Sequence, residues 1–148
     1  MITVKYKKTK FHSGRNGLIA PLYFRINNRR LPHFFYRDNI CLLLSQSLTQ
    51  LRLLLESSST NERIIYLYSK RAYNILLTKK DNEKVLVSFR RKQRIISEEE
   101  FSILKLISHL MELGTTCHTY IKDYPIHDHG VLDLSITLKR CSKIRVLS

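Results

Sequence analysis

The chain has 148 residues, and its 26 Lys and Arg residues against 12 Asp and Glu residues give a formal net charge of +14. A single domain of this length buries roughly two-thirds of its unfolded surface, so its core needs neither disulfides nor metals. Hydrophobic residues make up 43% of the chain, which excludes a disordered basic tail, and no apolar run approaches the roughly 18 residues of a membrane span.

The first forty residues predict an antiparallel meander. Apolar and polar residues alternate over residues 2–7 and 22–27, the period of a strand with one buried face. Residues 12–17 have the composition of a turn. Residues 27–30 are typical of a basic hairpin connection, which leads into a further strand over residues 31–37.

A short fourth strand and a helix are expected next. Residues 40–44 form an apolar run of strand length, and a helix-like pattern begins at Ser45. One side of this helix carries Leu48, Leu51, Leu54 and Leu55. The helix should end before residues 57–61, which have the composition of a loop.

The same order of elements is then repeated. Three further strands are predicted, with a hairpin turn at 80–83 and a short fourth strand at 94–96; the three cover residues 63–70, 73–80 and 84–91. Ser97 and Glu100 have the spacing of a capping box, which predicts that a helix begins there. We expect this helix to run to about Leu113 and to stop at Gly114.

These elements predict one α+β domain over residues 1–148 with an internal duplication. Each repeat, at about residues 1–59 and 60–114, would be a curved antiparallel sheet of three to four strands followed by a helix. A pseudo-twofold axis would relate the repeats, with the helices packed at the centre. The C-terminal extension, residues 115–148, is expected to add a strand or hairpin around 131–138 and 143–147.

Two short motifs follow a similar order of residue types. Residues 90–101 join a basic stretch to an Ile-Ile-Ser step and an acidic turn, and Leu104 and Ile107 continue an apolar stripe. Residues 39–45, followed by Leu48 and Leu51, look like a weaker second copy. In this order the chain resembles the transcriptional coactivator family called positive cofactor four, here as a tandem, Whirly-like duplication.

The resemblance implies four curved antiparallel strands and one helix per unit. It also implies a groove between two sheets that holds single-stranded DNA by stacking and backbone contacts, with no catalysis. Two departures from the family's pattern leave the position of the stacking site open. Arg94 stands where the family has a glycine before Ile95, and the tryptophan that is common on the family's sheet is missing, because this chain has no tryptophan.

Positive charge and aromatic rings are concentrated in the first part of the chain. Residues 1–94 contain 20 basic and 5 acidic residues, whereas residues 95–148 contain 6 basic and 7 acidic residues. Eleven of the fourteen Phe and Tyr residues also precede residue 95. This mixture suits single-stranded nucleic acid, because cations follow the phosphates while exposed rings stack on bases.

Strand parity predicts which side chains face a ligand, since the helices should cover the more apolar side of each sheet. The side toward the helices would carry Ile2, Val4, Tyr6, Leu22, Phe24, Ile26, Phe34, Tyr36, Val85, Val87 and Phe89. The opposite side, free of acidic residues, and the basic turns give the nucleic-acid-binding candidates Lys5, Lys7, Tyr23, Arg25, Arg29, Arg30, Phe35, Arg37, Ser88, Arg90 and Lys92. Tyr66 and Tyr68 share one parity and Ile65 and Leu67 the other, so the orientation of that strand stays open.

The sequence supports a metal site or a catalytic site less well than it supports nucleic-acid binding. A zinc site would need an uncommon ligand spacing among Cys117, His118, His127 and His129. A metal-dependent nuclease would need a fixed geometry that the loop spacing does not supply for Asp123, Asp128 and Asp133. We therefore expect no metal, cofactor or enzymatic activity. The competing hypothesis is a small basic adaptor or inhibitor that docks on an acidic protein partner.

The expected partners are single-stranded DNA, with RNA left open, and transcription or replication proteins. Exposed sheet edges would allow a homodimer or higher oligomer. Met1 leads directly into strand-like sequence without a secretory signal, and three scattered cysteines argue against a disulfide framework, so we expect an intracellular protein. In a eukaryote or a virus this means the nucleus or the site of DNA replication or transcription. The low Ala and Gly content with many Ile, Lys, Ser and Asn hints at an AT-rich genome, such as that of a virus or parasite.

Overall fold

The computed structural model describes residues 2–4, 11–14, 17–33, 36–59, 61–121 and 129–146. Its elements in chain order are β1 (Ile2–Val4), β2 (His12–Gly14), β3 (Gly17–Ile26), β4 (Arg29–Leu31), β5 (Arg37–Asp38), α1 (Ile40–Glu56), β6 (Glu62–Tyr66), β7 (Tyr73–Lys79), β8 (Lys84–Arg91), β9 (Arg94–Ser102), α2 (Ile103–Ile121) and α3 (His129–Val146). Strands β1–β5 form sheet 1 and strands β6–β9 form sheet 2, both antiparallel. The α+β class with two antiparallel sheets is confirmed.

Sheet 1 is built around β3. Phe24 of β3 pairs with Ile2 of β1 and also with Leu31 of β4, so β1 and β4 lie on opposite edges of β3. Among the described residues β1, β2, β4 and β5 pair only with β3, so the sheet is three strands wide. Asn27 and Asn28 form the β3–β4 turn with φ angles of 52° and 60°, a left-handed conformation that asparagine tolerates.

The core-facing half of the parity prediction is confirmed for every residue whose side chain is described. In β3, β8 and the segment before β5 the residues predicted to face the core are buried: Leu22, Phe24, Ile26, Tyr36, Val85, Val87 and Phe89. Tyr6 and Phe34 lie outside the described residues, and only the backbone of Ile2 and Val4 is described. Phe24 meets Phe89 with ring centroids 5.7 Å apart, which joins the inner faces of the two sheets.

The helix predicted to begin at Ser97 is wrong, because residues 94–102 form the fourth strand of sheet 2. The polar side chains of the expected capping box all have partners in the strand conformation. Ser97 Oγ donates to the Ile26 carbonyl, the Glu99 carboxylate accepts from Asn27 N, Glu98 accepts from Ser88, and Glu100 lies 3.6 Å from Lys84 Nζ. Helix α2 begins instead at Ile103, where Ser102 Oγ accepts from Lys105 N at 3.4 Å.

The strand expected at residues 40–44 is also wrong, because α1 already begins at Ile40. Asn39 caps the helix, and its side chain accepts a hydrogen bond from Leu42 N at 3.1 Å. Helix α1 contacts β3 of sheet 1, β6 of sheet 2 and both other helices, so it is apolar on more than one side. The predicted core face is confirmed for Leu48, Leu51 and Leu54, while Leu55 is partly buried.

The C-terminal hairpin is wrong as well, because residues 129–146 form helix α3. Its buried positions follow a helical period and are Gly130, Leu134, Thr137 and Cys141. Gly114 does not stop α2, which continues to Ile121. A Cβ at Gly114 would lie only 3.1 Å from Leu138 Cδ2, so the glycine allows α2 and α3 to approach closely.

The three helices pack against one another, and the inner faces of the sheets cover them. Ser45 of α1 and Thr137 of α3 share a buried hydrogen bond of 2.7 Å. Cys41, Cys117 and Cys141 are buried and form no disulfide. Among the described residues no helix has the length and hydropathy needed to cross a membrane.

A buried carboxylate connects the end of sheet 1 to sheet 2. Asp38 is completely buried and accepts hydrogen bonds from Tyr36 Oη, from the backbone N–H groups of Asn39 and Tyr68 at 2.8 Å, and from Ser69 N at 3.1 Å and Oγ at 3.0 Å. Burial, together with the charge of Asp38 and its hydrogen bond, raises the pKa of Tyr36, so this phenol remains the donor. The carboxylate therefore fixes the chain after β6 against the start of α1.

Asp38→Asn should destabilise the fold by about 3 kcal/mol. The amide retains one acceptor but presents N–H donors toward the donors of Tyr68 and Ser69, leaving buried polar groups unsatisfied. Urea unfolding followed by circular dichroism measures the change, with the exposed Asp133→Asn as a control expected to remain within about 0.5 kcal/mol. An Asp38→Asn variant with the wild-type urea midpoint would show that the network does not hold the sheets together.

Candidate nucleic-acid interface

The outer face of sheet 2 carries a row of side chains that crosses all four strands. Tyr66 on β6 pairs with Asn74 on β7, Asn74 pairs with Arg90 on β8, and Arg90 pairs with Ile95 on β9. Paired residues in antiparallel strands point to the same face. Tyr66 is 55% exposed and Ile95 is 51% exposed, so both ends of this row, the Tyr66 row, are open to solvent.

Tyr66 points outward because the other parity of its strand is buried. Ile65 is 3% exposed and Leu67 is fully buried, which resolves the orientation that the sequence left open. The Gln46 side chain of α1 also pairs with the free edge of β6: its Nε2 donates to the Tyr66 carbonyl at 3.1 Å, and its Oε1 accepts from Tyr66 N at 2.8 Å. The backbone that carries the ring is therefore held in place on the edge strand.

Asn74 organises the cations of the neighbouring turn. Its Oδ1 accepts from Arg90 Nε at 2.8 Å, and its Nδ2 donates to the Lys92 carbonyl at 3.0 Å. Lys92 N donates to the Ala72 carbonyl at 2.6 Å, and Lys92 has a φ of 56°, in the left-handed region. A buried amide thus fixes Arg90 on the sheet and joins the β8–β9 turn to the loop before β7.

These turns form the basic end of sheet 2, which consists of Lys70, Arg71, Arg91, Lys92 and Arg94, all exposed. The meander brings the loop before β7 and the β8–β9 turn to the same end, and neither contains an acidic residue. Arg91, Lys92 and Arg94 form no ion pair with any residue in the described part of the chain. The opposite end of sheet 2 is formed by the start of β6, the β7–β8 turn and the end of β9. It carries four acidic residues, which are Glu62, Asp81, Glu83 and Glu100.

The β3–β4 hairpin of sheet 1 extends this positive surface. Arg25 and Arg30 are cross-strand partners and both are exposed. The Arg30 guanidinium carbon lies 4.3 Å from the centroid of the Tyr23 ring, a cation–π contact. Arg29 Nη1 donates to the Ile96 carbonyl at 2.8 Å, which places the hairpin beside β9, two residues from Arg94.

Ten of the eleven predicted site residues fall into three groups, and Ser88 is described separately below. Four are exposed: Arg25, Arg29, Arg30 and Lys92. Three are half-buried: Tyr23, Arg37 and Arg90. Lys5, Lys7 and Phe35 lie outside the described residues.

Ser88 is a correction to the predicted face. It is 1% exposed and donates to Glu98 Oε2 at 3.0 Å, so it is not available to a ligand. Because β9 continues through Glu98 and Glu100, the outer face of sheet 2 also contains acids, and the expectation of an acid-free face is wrong for this sheet. Tyr66, Lys70, Arg71, Arg91 and Arg94 were absent from the predicted site, since only the strand register brings them together.

Neither a protein family, nor a curated protein, nor a solved structure matches this chain. The motif over residues 90–101 lies in β8, its turn and β9, so the helix entry on which part of the resemblance rested is replaced by a strand. No group of three or more His, Cys, Asp or Glu side chains in the described ranges could hold a metal ion.

Proposed function

We propose that the protein binds single-stranded nucleic acid, with DNA as the first candidate, and that it acts by binding rather than catalysis. The observation that carries the proposal is an exposed ring on an open sheet face beside a cluster of five exposed cations. Such a protein would serve a process that exposes single strands: transcription, replication or recombination. RNA remains the alternative ligand of the same chemistry.

The Tyr66 row supplies the groups that unpaired bases require. A tyrosine ring and an arginine guanidinium are flat surfaces on which any base can stack, whereas a duplex hides the faces of its bases. Tyr66 and Arg90 lie on one row of the sheet, with Arg90 fixed by Asn74. The Arg30–Tyr23 pair adds a second flat surface on the hairpin of sheet 1.

The basic end supplies the groups that phosphates require. Its cations are exposed and have no acidic neighbour in the two turns that carry them. A strand that stacks on the Tyr66 row would pass directly from the sheet face to these cations, because Lys92 and Arg90 share Asn74 as a partner. The side chain of Arg29, which donates to the Ile96 carbonyl of β9, continues the path toward sheet 1.

We further propose that the two sheet-and-helix units, at about residues 1–59 and 60–114, are an internal duplication with a pseudo-twofold arrangement. The repeated order of elements supports this duplication: strands β1–β5 precede helix α1, and strands β6–β9 precede helix α2. Helices α1 and α2 also pack together. In this proposal the two outer sheet faces are related surfaces that bind one strand.

The protein should bind a single strand more tightly than a blunt duplex of equal length. If about four to six phosphates are neutralised, the logarithm of the affinity should fall against the logarithm of the salt concentration with a slope of roughly −3 to −4. Fluorescence anisotropy with labelled DNA, RNA and duplex oligonucleotides of one sequence measures both quantities. Equal or tighter binding of the duplex would overturn the proposal, and no binding of any oligonucleotide would favour an acidic protein partner instead.

Charge removal at the two ends of sheet 2 should have different effects. The double variant Arg91→Gln, Arg94→Gln should weaken single-strand binding and make the salt slope shallower by about 0.7 for each lost phosphate contact. Lys80→Gln, at the opposite end of the same sheet, removes an exposed cation and should leave the slope unchanged. An equal loss in both variants would mean that binding follows the total charge and not the basic end.

Tyr66 separates stacking from charge. Tyr66→Ala should weaken single-strand binding by about 1 to 3 kcal/mol, because a stacking surface is lost, and should leave the salt slope unchanged. Tyr66→Phe retains the ring and should retain most of the affinity. If Tyr66→Ala binds as tightly as the wild type, or if Tyr66→Phe is as weak as Tyr66→Ala, the ring does not stack on a base.

A further inference from the structure

A second cationic surface lies between the C-terminal turns of α1 and α3. It is a groove with a volume of about 420 Å³. Helix α1 contributes Arg52 and Glu56, and helix α3 contributes Arg140, Lys143 and Ile144. This volume lies within the range of sites that hold small ligands. None of these residues belongs to the Tyr66 row, the basic end or the β3–β4 hairpin.

The groove has an excess of two positive charges. Glu56 is the one carboxylate among the described residues that line it, and it accepts from Arg52 Nη1 at 3.2 Å. That contact leaves further donors on the Arg52 guanidinium, which has five N–H groups. Arg140 and Lys143 are exposed and form no ion pair with another described residue.

The cations of the groove are not needed to terminate α1. Lys79 already performs this task, because its ammonium group donates to the Leu54 and Ser57 carbonyls, each at 3.0 Å. Ser57 N donates to the Leu53 carbonyl at 3.0 Å. Like charges three residues apart on a helix, such as Arg140 and Lys143, oppose folding, and Arg52 adds a third cation from the facing helix. The arrangement is favourable when an anion occupies the groove.

We propose that this groove binds a phosphomonoester dianion, either a free phosphorylated molecule such as a nucleotide or the 5′-phosphate end of a strand. Two negative charges match the excess charge of the groove. The planar guanidiniums of Arg52 and Arg140 would each hold phosphate oxygens through paired N–H groups, and Lys143 would act as a point charge. Ile144 provides an apolar wall for the group that the phosphate esterifies.

Titration with inorganic phosphate at constant ionic strength, followed by amide chemical shifts, tests the site. Phosphate should bind saturably and shift the amides of residues 52–56 and 140–144. The double variant Arg140→Gln, Lys143→Gln should weaken phosphate binding at least tenfold. The matched control is Lys139→Gln, an exposed cation on the same helix that does not line the groove, and it should change the affinity less than twofold. None of the variants should lower the thermal midpoint, because these side chains are exposed, and the double variant should raise it slightly, because it removes two like charges from one helix.

Two arms distinguish the sources of the phosphate. Adenosine monophosphate represents a free ligand, and a 5′-phosphorylated oligonucleotide compared with its 5′-hydroxyl form represents a strand end. An Arg140-dependent gain from the 5′-phosphate assigns the strand end, whereas binding of the mononucleotide without that gain assigns a free ligand. The proposal is overturned if phosphate fails to saturate, or if Lys139→Gln weakens binding as much as the double variant. Either result would leave single-strand binding by sheet 2 unaffected, since that surface has no residue in common with the groove.

Discussion

The buried carboxylate of Asp38 is the constraint on which the arrangement of the two sheets depends. A charge with no exposure to water needs several hydrogen bonds, and Asp38 receives five, two from its own neighbours and three from the loop after β6. The same loop leads into Lys70 and Arg71. The Asp38 network therefore also positions part of the basic end, because only Lys70 lies between Ser69 and Arg71.

The fold was predictable where side chains face one dominant core. Alternation correctly oriented β3 and β8, since one face of each strand is buried and a one-residue shift would expose it. It failed for α3, where Leu132 and Ile136 are exposed at 60% and 40% and produce an apparent period of two. The capping-box prediction at Ser97 and Glu100 failed because tertiary partners, and not local capping, decide the conformation of those polar residues.

The candidate site was predictable only in part, for a related reason. Arg25 and Arg30 follow from parity within one hairpin, which is local information. Tyr66 does not, because Tyr66 and Tyr68 alternate with Ile65 and Leu67 and both sets suit a core; the burial of Ile65 and Leu67 decides the orientation. The basic end joins residues about twenty positions apart in the sequence, so its composition becomes evident only when the meander places the two turns side by side.

Sheet 2 also separates charge along its strands, and this separation favours one end for an anion. The end with the β7–β8 turn carries four acids and three cations, so its charges nearly cancel. These residues are Glu62, Asp81, Glu83 and Glu100 with Lys79, Lys80 and Lys84. The basic end, by contrast, carries five cations and no acid. Strands of seven or eight residues span about 25 Å, roughly three Debye lengths at physiological salt. The acidic end therefore hardly weakens the field at the basic end. In the proposed complex, a phosphate chain near the sheet would therefore be attracted to the side where Tyr66 and Arg90 lie.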